Sequence, residues 1–132
     1  MTHQSLQNPW LEIGKRWKLY GPPGRPSESE IKIISSYIES FCKQKKEKKD
    51  TTPINILILG STPEYRDMLA RLKQHYPLTV TLIDIFKEMY EQMSALTEFP
   101  NKEENFIHGS WLDKNNFKQE YYDFILGDLI FG

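Results

Sequence analysis

The chain has 132 residues, a formal net charge of -1 and a single cysteine. That length suits one domain able to bury roughly two thirds of its unfolded surface. The near-zero charge gives no global reason to expect nucleic acid or an anionic membrane as partner. No apolar run approaches the roughly 20 residues a membrane-spanning helix needs, and the polar start, Met1 to Asn8, has no signal-peptide core. Cys42 cannot form an internal disulfide, so a reduced, cytoplasmic setting is expected.

After a frayed start, Trp10, Ile13 and Trp17 recur at i, i+3 and i+7, as on one face of a short helix. Such a helix either docks on the domain or acts as a lid carrying an aromatic ring. Gly21-Pro22-Pro23-Gly24-Arg25-Pro26 must be a turn or extended loop. Arg25 either grips a carboxylate there or is solvated. Ser27 to about Lys46 reads as the clearest helix. Ser27 and Glu30 form a capping box, and Ile31, Ile34, Ile38 and Phe41 follow at helical spacing with Tyr37 beside them. Cys42 closes that face as core packing. The five lysines between Lys43 and Asp50 suit a solvated helix end; a nucleic-acid patch is the weaker alternative, because no aromatic residue is interleaved. Residues 1–50 are thus expected to form an N-terminal helical extension and linker, and residues 51–132 the ligand-binding domain.

Ile54-Asn55-Ile56-Leu57-Ile58-Leu59 lacks apolar/polar alternation, as in a parallel strand covered on both faces. Gly60 permits a sharp turn. Ser61 and Thr62 are good N-cap residues, Pro63 suits the first helical position, and Glu64 places a carboxylate in the first turn. The helix carries Met68, Leu69 and Leu72 on its buried face and runs to His75 before Pro77 ends the segment. Leu78 to Asp84 is a second strand, β-branched and apolar, and Phe86 to Leu96 a helix with Phe86, Met89, Tyr90, Met93 and Leu96 inward. Glu98 to Glu104 reads as a loop, Asn105 to Gly109 as a third strand, and Lys114 to Glu120 as a polar connection. Tyr121 to Asp128 is a fourth strand. This alternation implies an α/β fold, a three-layer Rossmann-like parallel sheet of about four strands.

Ligands of open α/β sheets bind at the carboxyl edge of the strands. Gly60 opens the first turn there. Asp84 follows at roughly the 20-residue spacing at which nucleotide-binding folds offer an acid to ribose hydroxyls, although taken alone it could be a helix N-cap. Gly109-Ser110-Trp111 offers exposed backbone N–H groups beside a ring suited to adenine, and Asp128 ends the fourth strand at the same edge, where it could otherwise be a turn residue. A dinucleotide site wants G-x-G-x-x-G. Here only Gly60 is present and Glu64 would repel phosphate, so a ligand without phosphates, with a cationic sulfonium and an amino-acid tail, fits better. Glu64 or Asp128 could attract the cationic groups. An oxidoreductase is disfavoured by the missing glycines. Metal chemistry is disfavoured too, because His3, His75 and His108 have no ligand spacing.

Residues 54–128 resemble the class I S-adenosylmethionine-dependent methyltransferases. The likeness runs through Ile56-Leu57-Ile58-Leu59-Gly60-Ser61-Thr62-Pro63-Glu64, Leu82-Ile83-Asp84, Gly109-Ser110-Trp111-Leu112 and Tyr122-Asp123-Phe124-Ile125-Leu126-Gly127-Asp128. Arg16-Trp17 and Pro22 to Ser27 also look like the start of a group carrying a G-x-T-P-E turn. The resemblance implies strand order 3-2-1-4, Gly60 against the methionine part of S-adenosylmethionine, Asp84 on the ribose and Trp111 near adenine. Ser61, Thr62, Glu64, Ile85, Ser110 and Asp128 complete the expected cofactor set, and Asp128 is the candidate general base for an acceptor the sequence does not reveal. Ile58 stands where the family carries an acid before its first glycine. Thr62 and Glu64 replace its later glycines, and Ser110 stands in for an acid. The family sheet continues past a fourth strand, so the chain reads as its cofactor-binding half, either a methyltransferase or a non-catalytic binding or assembly module. The fourth strand would be an apolar edge, and self-association through residues 122–131 is expected.

Overall fold

The computed structural model describes residues 26–99, 103–110, 112, 113 and 121–127. They form α1 (Glu28–Glu47), β1 (Ile54–Leu59), α2 (Pro63–Lys73), β2 (Leu78–Asp84), α3 (Lys87–Leu96), β3 (Glu104–His108) and β4 (Phe124–Gly127). The helix expected around Trp10 to Trp17, the loop with Arg25 and the connection 114–120 lie outside the described residues.

The four strands make one sheet in the order β3-β2-β1-β4, and every neighbouring pair is parallel. The α/β Rossmann-like architecture and the strand order are therefore those expected. Ile54 is level with Leu78, and Leu59 is level with both Ile83 and Gly127. The ends of β1, β2 and β4 consequently share one edge of the sheet, and β3 joins them through the pairing of Asp84 with His108.

The unalternating run in β1 has its reason in the packing. Ile56 and Ile58 point to one face and Leu57 to the other, and all three are fully buried. Leu82 and Ile83 repeat the pattern in β2, so both faces of the sheet are covered. On one face Ile54, Ile56, Ile58, Leu78, Val80 and Leu82 pack with Ile38 and Cys42 of α1 and with Tyr65, Met68, Leu69 and Leu72 of α2. Each fully buried aliphatic chain there contributes about 1.5–3 kcal/mol. Burial, with Glu39 nearby, pushes the Cys42 thiol up from its ordinary range. It packs as a core residue.

α1 starts as its sequence dictates. Ser27 has extended backbone, and its hydroxyl accepts from the Glu30 N–H at 3.2 Å. The Glu30 carboxylate returns to the Ser27 hydroxyl at 3.2 Å, a variant of the reciprocal capping box. Ile31, Ile34 and Phe41 pack against the core as expected. Tyr37 does not; it is 72% exposed, because it precedes Ile38 by one residue and is rotated about 100° from the buried stripe.

Four elements have limits that differ from expectation. α2 ends at Lys73 and α3 begins at Lys87, with Phe86 as its N-cap. β3 runs from Glu104 to His108, one residue earlier than the apolar pattern suggested, because Glu104 is drawn into the interior by Arg66 (below). β4 begins only at Phe124. Ahead of it the Asp123 carboxylate accepts the Asn55 N–H at 2.8 Å, and the Asp123 N–H donates to the Asn55 carbonyl at 2.7 Å. Asp123 thus latches β4 onto the start of β1. Among the described residues β4 pairs with β1 alone, and its Ile125 is about half exposed.

Candidate functional site at the carboxyl edge

β1 ends at Leu59, and Gly60 turns the chain with φ +105°. A side chain is strained at that angle. The Gly60 N–H continues the ladder to the Ile83 carbonyl at 2.8 Å. Among the described residues nothing lies within 4 Å of the point a Cβ on Gly60 would occupy. The glycine is therefore required by its backbone angle, and the described residues leave the space beside its α-carbon clear.

Ser61 and Thr62 divide the work differently from the expectation that both serve the helix start. Thr62 is the N-cap of α2 but makes no side-chain capping bond; its carbonyl accepts the Arg66 N–H at 3.2 Å. Pro63 occupies the first helical turn and Glu64 adds the expected acid there. The Ser61 hydroxyl crosses to the next strand end and donates to Asp84 Oδ2 at 2.7 Å. Both residues are buried, Ser61 at 4% and Asp84 at 5% exposure. Asp84 Oδ1 accepts the Phe86 N–H at 3.1 Å. The acid therefore supports the turn into α3, as an N-cap residue would, while lying at the nucleotide-binding strand end.

Burial pushes the Asp84 carboxyl above the ordinary range. The Ser61 hydroxyl, the Phe86 and Ile85 N–H groups and the His108 ring pull it the other way. A carboxylate has about four acceptor positions; Ser61 takes one on Oδ2 and Phe86 one on Oδ1, and the Ile85 N–H adds a third bond. The structure thus holds a desolvated acid in one orientation with part of its acceptor capacity remaining.

Ile85 is half exposed beside it. Its carbonyl lies 3.1 Å from His108 Nε2, a contact that requires the proton on that nitrogen. The Gly109 N–H donates to the Asp84 carbonyl at 3.0 Å, which brings the end of β3 to the same edge. Ser110 accepts the Leu112 N–H on its hydroxyl at 3.1 Å and the Asp113 N–H on its carbonyl at 3.2 Å, closing a tight turn. The structure thus gathers Gly60, Ser61, Asp84, Ile85 and Ser110 at successive strand ends. Trp111 and Asp128, the expected adenine and general-base residues, lie outside the described residues. Gly127 is level with Leu59, so β4 reaches the edge just before position 128.

A second polar cluster was not foreseen. Arg66, on the face of α2 shared with Leu69, is 2% exposed. It grips Glu104 with two nitrogens, Nε at 3.0 Å from Oε2 and Nη2 at 2.8 Å from Oε1, and donates to the Ser94 hydroxyl at 2.7 Å. Its guanidinium lies 4.8 Å from the centre of the Tyr90 ring, which stacks on Phe106 at 4.1 Å. Next to it, Asp67 accepts the Glu98 and Phe99 N–H groups and holds the chain leaving α3. The i, i+3 spacing of Arg66 and Leu69 was the available signal; the charge disguised it. This cluster joins α2, α3 and β3 and is structural.

Among the described residues no group of three or more His, Cys, Asp or Glu could hold a metal ion, and no helix is long and apolar enough to cross a membrane. No protein-family model, curated protein or solved structure matches the chain. The arrangement itself offers a buried oriented carboxylate, an open glycine turn and an exposed apolar residue at one sheet edge. Chemically that suits a ligand with vicinal hydroxyls and a flat apolar part.

Proposed function

We propose that the chain binds S-adenosylmethionine at the edge formed by β1, β2 and β3, and that it is a methyltransferase or the cofactor-binding half of one. The observation that carries this reading is the Asp84 carboxylate, buried and oriented one strand from the open side of Gly60. An oriented carboxylate with acceptor capacity left suits ribose hydroxyls as donors, and such charge-assisted bonds are strong. The residues present fit the cofactor. Gly60 leaves room for the methionine part, Asp84 takes the ribose, and Ile85 and Ser110 border the adenine, for which Trp111 is the candidate ring the sequence supplies. Glu64 in the first turn of α2 favours a cationic tail over a phosphate.

When bound, the cofactor supplies an electrophilic methyl group. The chain's part is to hold and orient it, which is the main requirement of direct transfer. Asp128 is the proposed base for a hydroxyl or amine acceptor. The single, buried Cys42 is consistent with a reduced, cytoplasmic setting.

Calorimetric titration with S-adenosylhomocysteine tests the binding step. Saturable heat in the wild type, lost in Asp84→Ala, is expected. No heat at millimolar ligand removes the reading. A second reading, a non-catalytic binding or assembly module, is favoured by β4, which pairs with β1 alone among the described residues and carries the half-exposed Ile125. Cofactor binding without methyl transfer to any offered nucleophile, together with self-association, would select it.

A further inference from the structure

We infer that Ser61 is a positioning residue, whose hydroxyl orients the Asp84 carboxylate toward the vicinal hydroxyls of an adenosyl ligand, and is not itself a cofactor contact. The inference rests on the proposed binding site and deepens it.

Three observations carry it. The Ser61 hydroxyl is buried and aimed at Asp84 Oδ2 at 2.7 Å, away from the N-terminus of α2 that its place in the chain would serve. Thr62, the N-cap of α2, makes no side-chain capping bond. The Ser61 hydroxyl, one residue before it, instead bridges two strand ends. Finally, the second Asp84 oxygen is tied to the Phe86 N–H at 3.1 Å. The carboxylate is thereby held from both sides, from the turn after β1 and from the start of α3. The terminal torsion of a carboxylate is broad and soft, and the Ser61 bond on the β1 side adds to those that the start of α3 supplies on the other. With both, the plane of the acid is set, as recognition of a diol by two parallel bonds requires.

Ser61 also bears on the charge state of the acid. Its hydrogen bond helps to keep a desolvated carboxyl ionised, together with the Phe86 and Ile85 N–H groups at the start of α3 and the His108 ring on β3. Removing it moves the acid limit of ligand binding to higher pH, because the protonated acid accepts fewer hydrogen bonds.

The test compares wild type, Ser61→Ala, Ser61→Thr and Ser61→Cys by calorimetry with S-adenosylhomocysteine and with its 2′-deoxyribose analogue, from pH 5 to 8. For Ser61→Ala we expect a roughly tenfold loss for the ribose ligand, in line with a hydrogen bond to a charged group. Little loss is expected for the deoxy analogue, and the binding profile should shift toward higher pH. Ser61→Thr, which keeps the hydroxyl, should restore both. Should Ser61→Ala not fold, Ser61→Cys keeps the size with a weaker donor and is read in the same way. Equal affinities and unchanged profiles in variants that bind would overturn the positioning role while leaving the site intact. If the wild type itself binds neither ligand, the site reading fails and the inference falls with it.

Discussion

Glu104 and Asp84 are both buried carboxylates on adjacent strands, and they are treated in opposite ways. Glu104 is met by a guanidinium that contributes two nitrogens, so its charge is matched inside the protein. Among the described residues Asp84 is met by the Ser61 hydroxyl and the Phe86 and Ile85 N–H groups, with the His108 ring nearby but no guanidinium gripping it, and its carboxyl is pushed up by burial. Burying an acid without a cation is costly, and a fold that needed only stability at this point would do better with an apolar residue. A charge matched inside the protein holds elements together. A charge left unmatched beside an open turn keeps its interaction capacity for something else.

The largest effect is expected where the matched pair is broken. Arg66→Met leaves Glu104 buried without a counter-charge and should cost about 3–5 kcal/mol in urea unfolding. The double variant Arg66→Met/Glu104→Leu should recover most of that loss. A single-variant cost below about 1 kcal/mol would mean the pair behaves like a surface salt bridge and the comparison with Asp84 loses its basis.

Next comes the turn. Gly60→Ala forces a side chain to φ +105° and should cost of order 1–3 kcal/mol. Its methyl also enters the open space beside the turn, so adenosyl-ligand affinity should drop further than stability alone accounts for. Unchanged affinity in a folded Gly60→Ala protein would place the ligand elsewhere.

The unmatched acid gives a smaller stability effect with a distinctive pH signature. The folded carboxyl holds its proton more tightly than the unfolded one, so Asp84 favours folding most below the unfolded value of 3.8 and less as pH rises through the higher folded value. Asp84→Asn removes this dependence. Thermal unfolding between pH 3.5 and 7 should therefore show D84N gaining on the wild type as pH rises, even as it loses ligand binding. A gain in the opposite direction would show that the acid is stabilised as a carboxylate, as a paired one is.

The smallest effect concerns the open sheet edge. Ile125→Lys places a charge on a half-exposed position of β4, the usual protection of an edge strand. Sedimentation velocity should show less self-association than in the wild type, with folding stability nearly unchanged. A wild type that stays monomeric at all concentrations would remove the self-association proposal.

Much of the scaffold was legible because it depends on neighbours in the chain. The unalternating run from Ile54 to Leu59 announced a strand covered on both faces, and Gly60 announced its end. Ser27 announced the start of α1 by a capping bond that closes within four residues. Placing Asp84 at the end of β2 was also possible from the β-branched run before it. Glu104 was harder. Its charge argued for a loop, and only the arrival of Arg66 from α2 makes burial acceptable. Tyr37 was misplaced by a rotation of one residue, a difference the apolar count of α1 could not resolve. Ser61 was expected to serve the helix start, but its hydroxyl donates to Asp84 on another strand, a partner 23 residues away that local sequence does not announce.

The local sequence alone thus determined where strands end, where helices begin and which residues stand at the carboxyl edge, since these follow from backbone angles, capping and periodicity within a few residues. Only the tertiary structure decided which charges are matched. The parallel register that sets Leu59 level with Ile83 brings Ser61 to Asp84, and the rotation of α2 against β3 brings Arg66 to Glu104. Those contacts join residues far apart in the chain, and a hydrogen bond or ion pair forms only when the sheet order and helix packing bring its two atoms within about 3 Å.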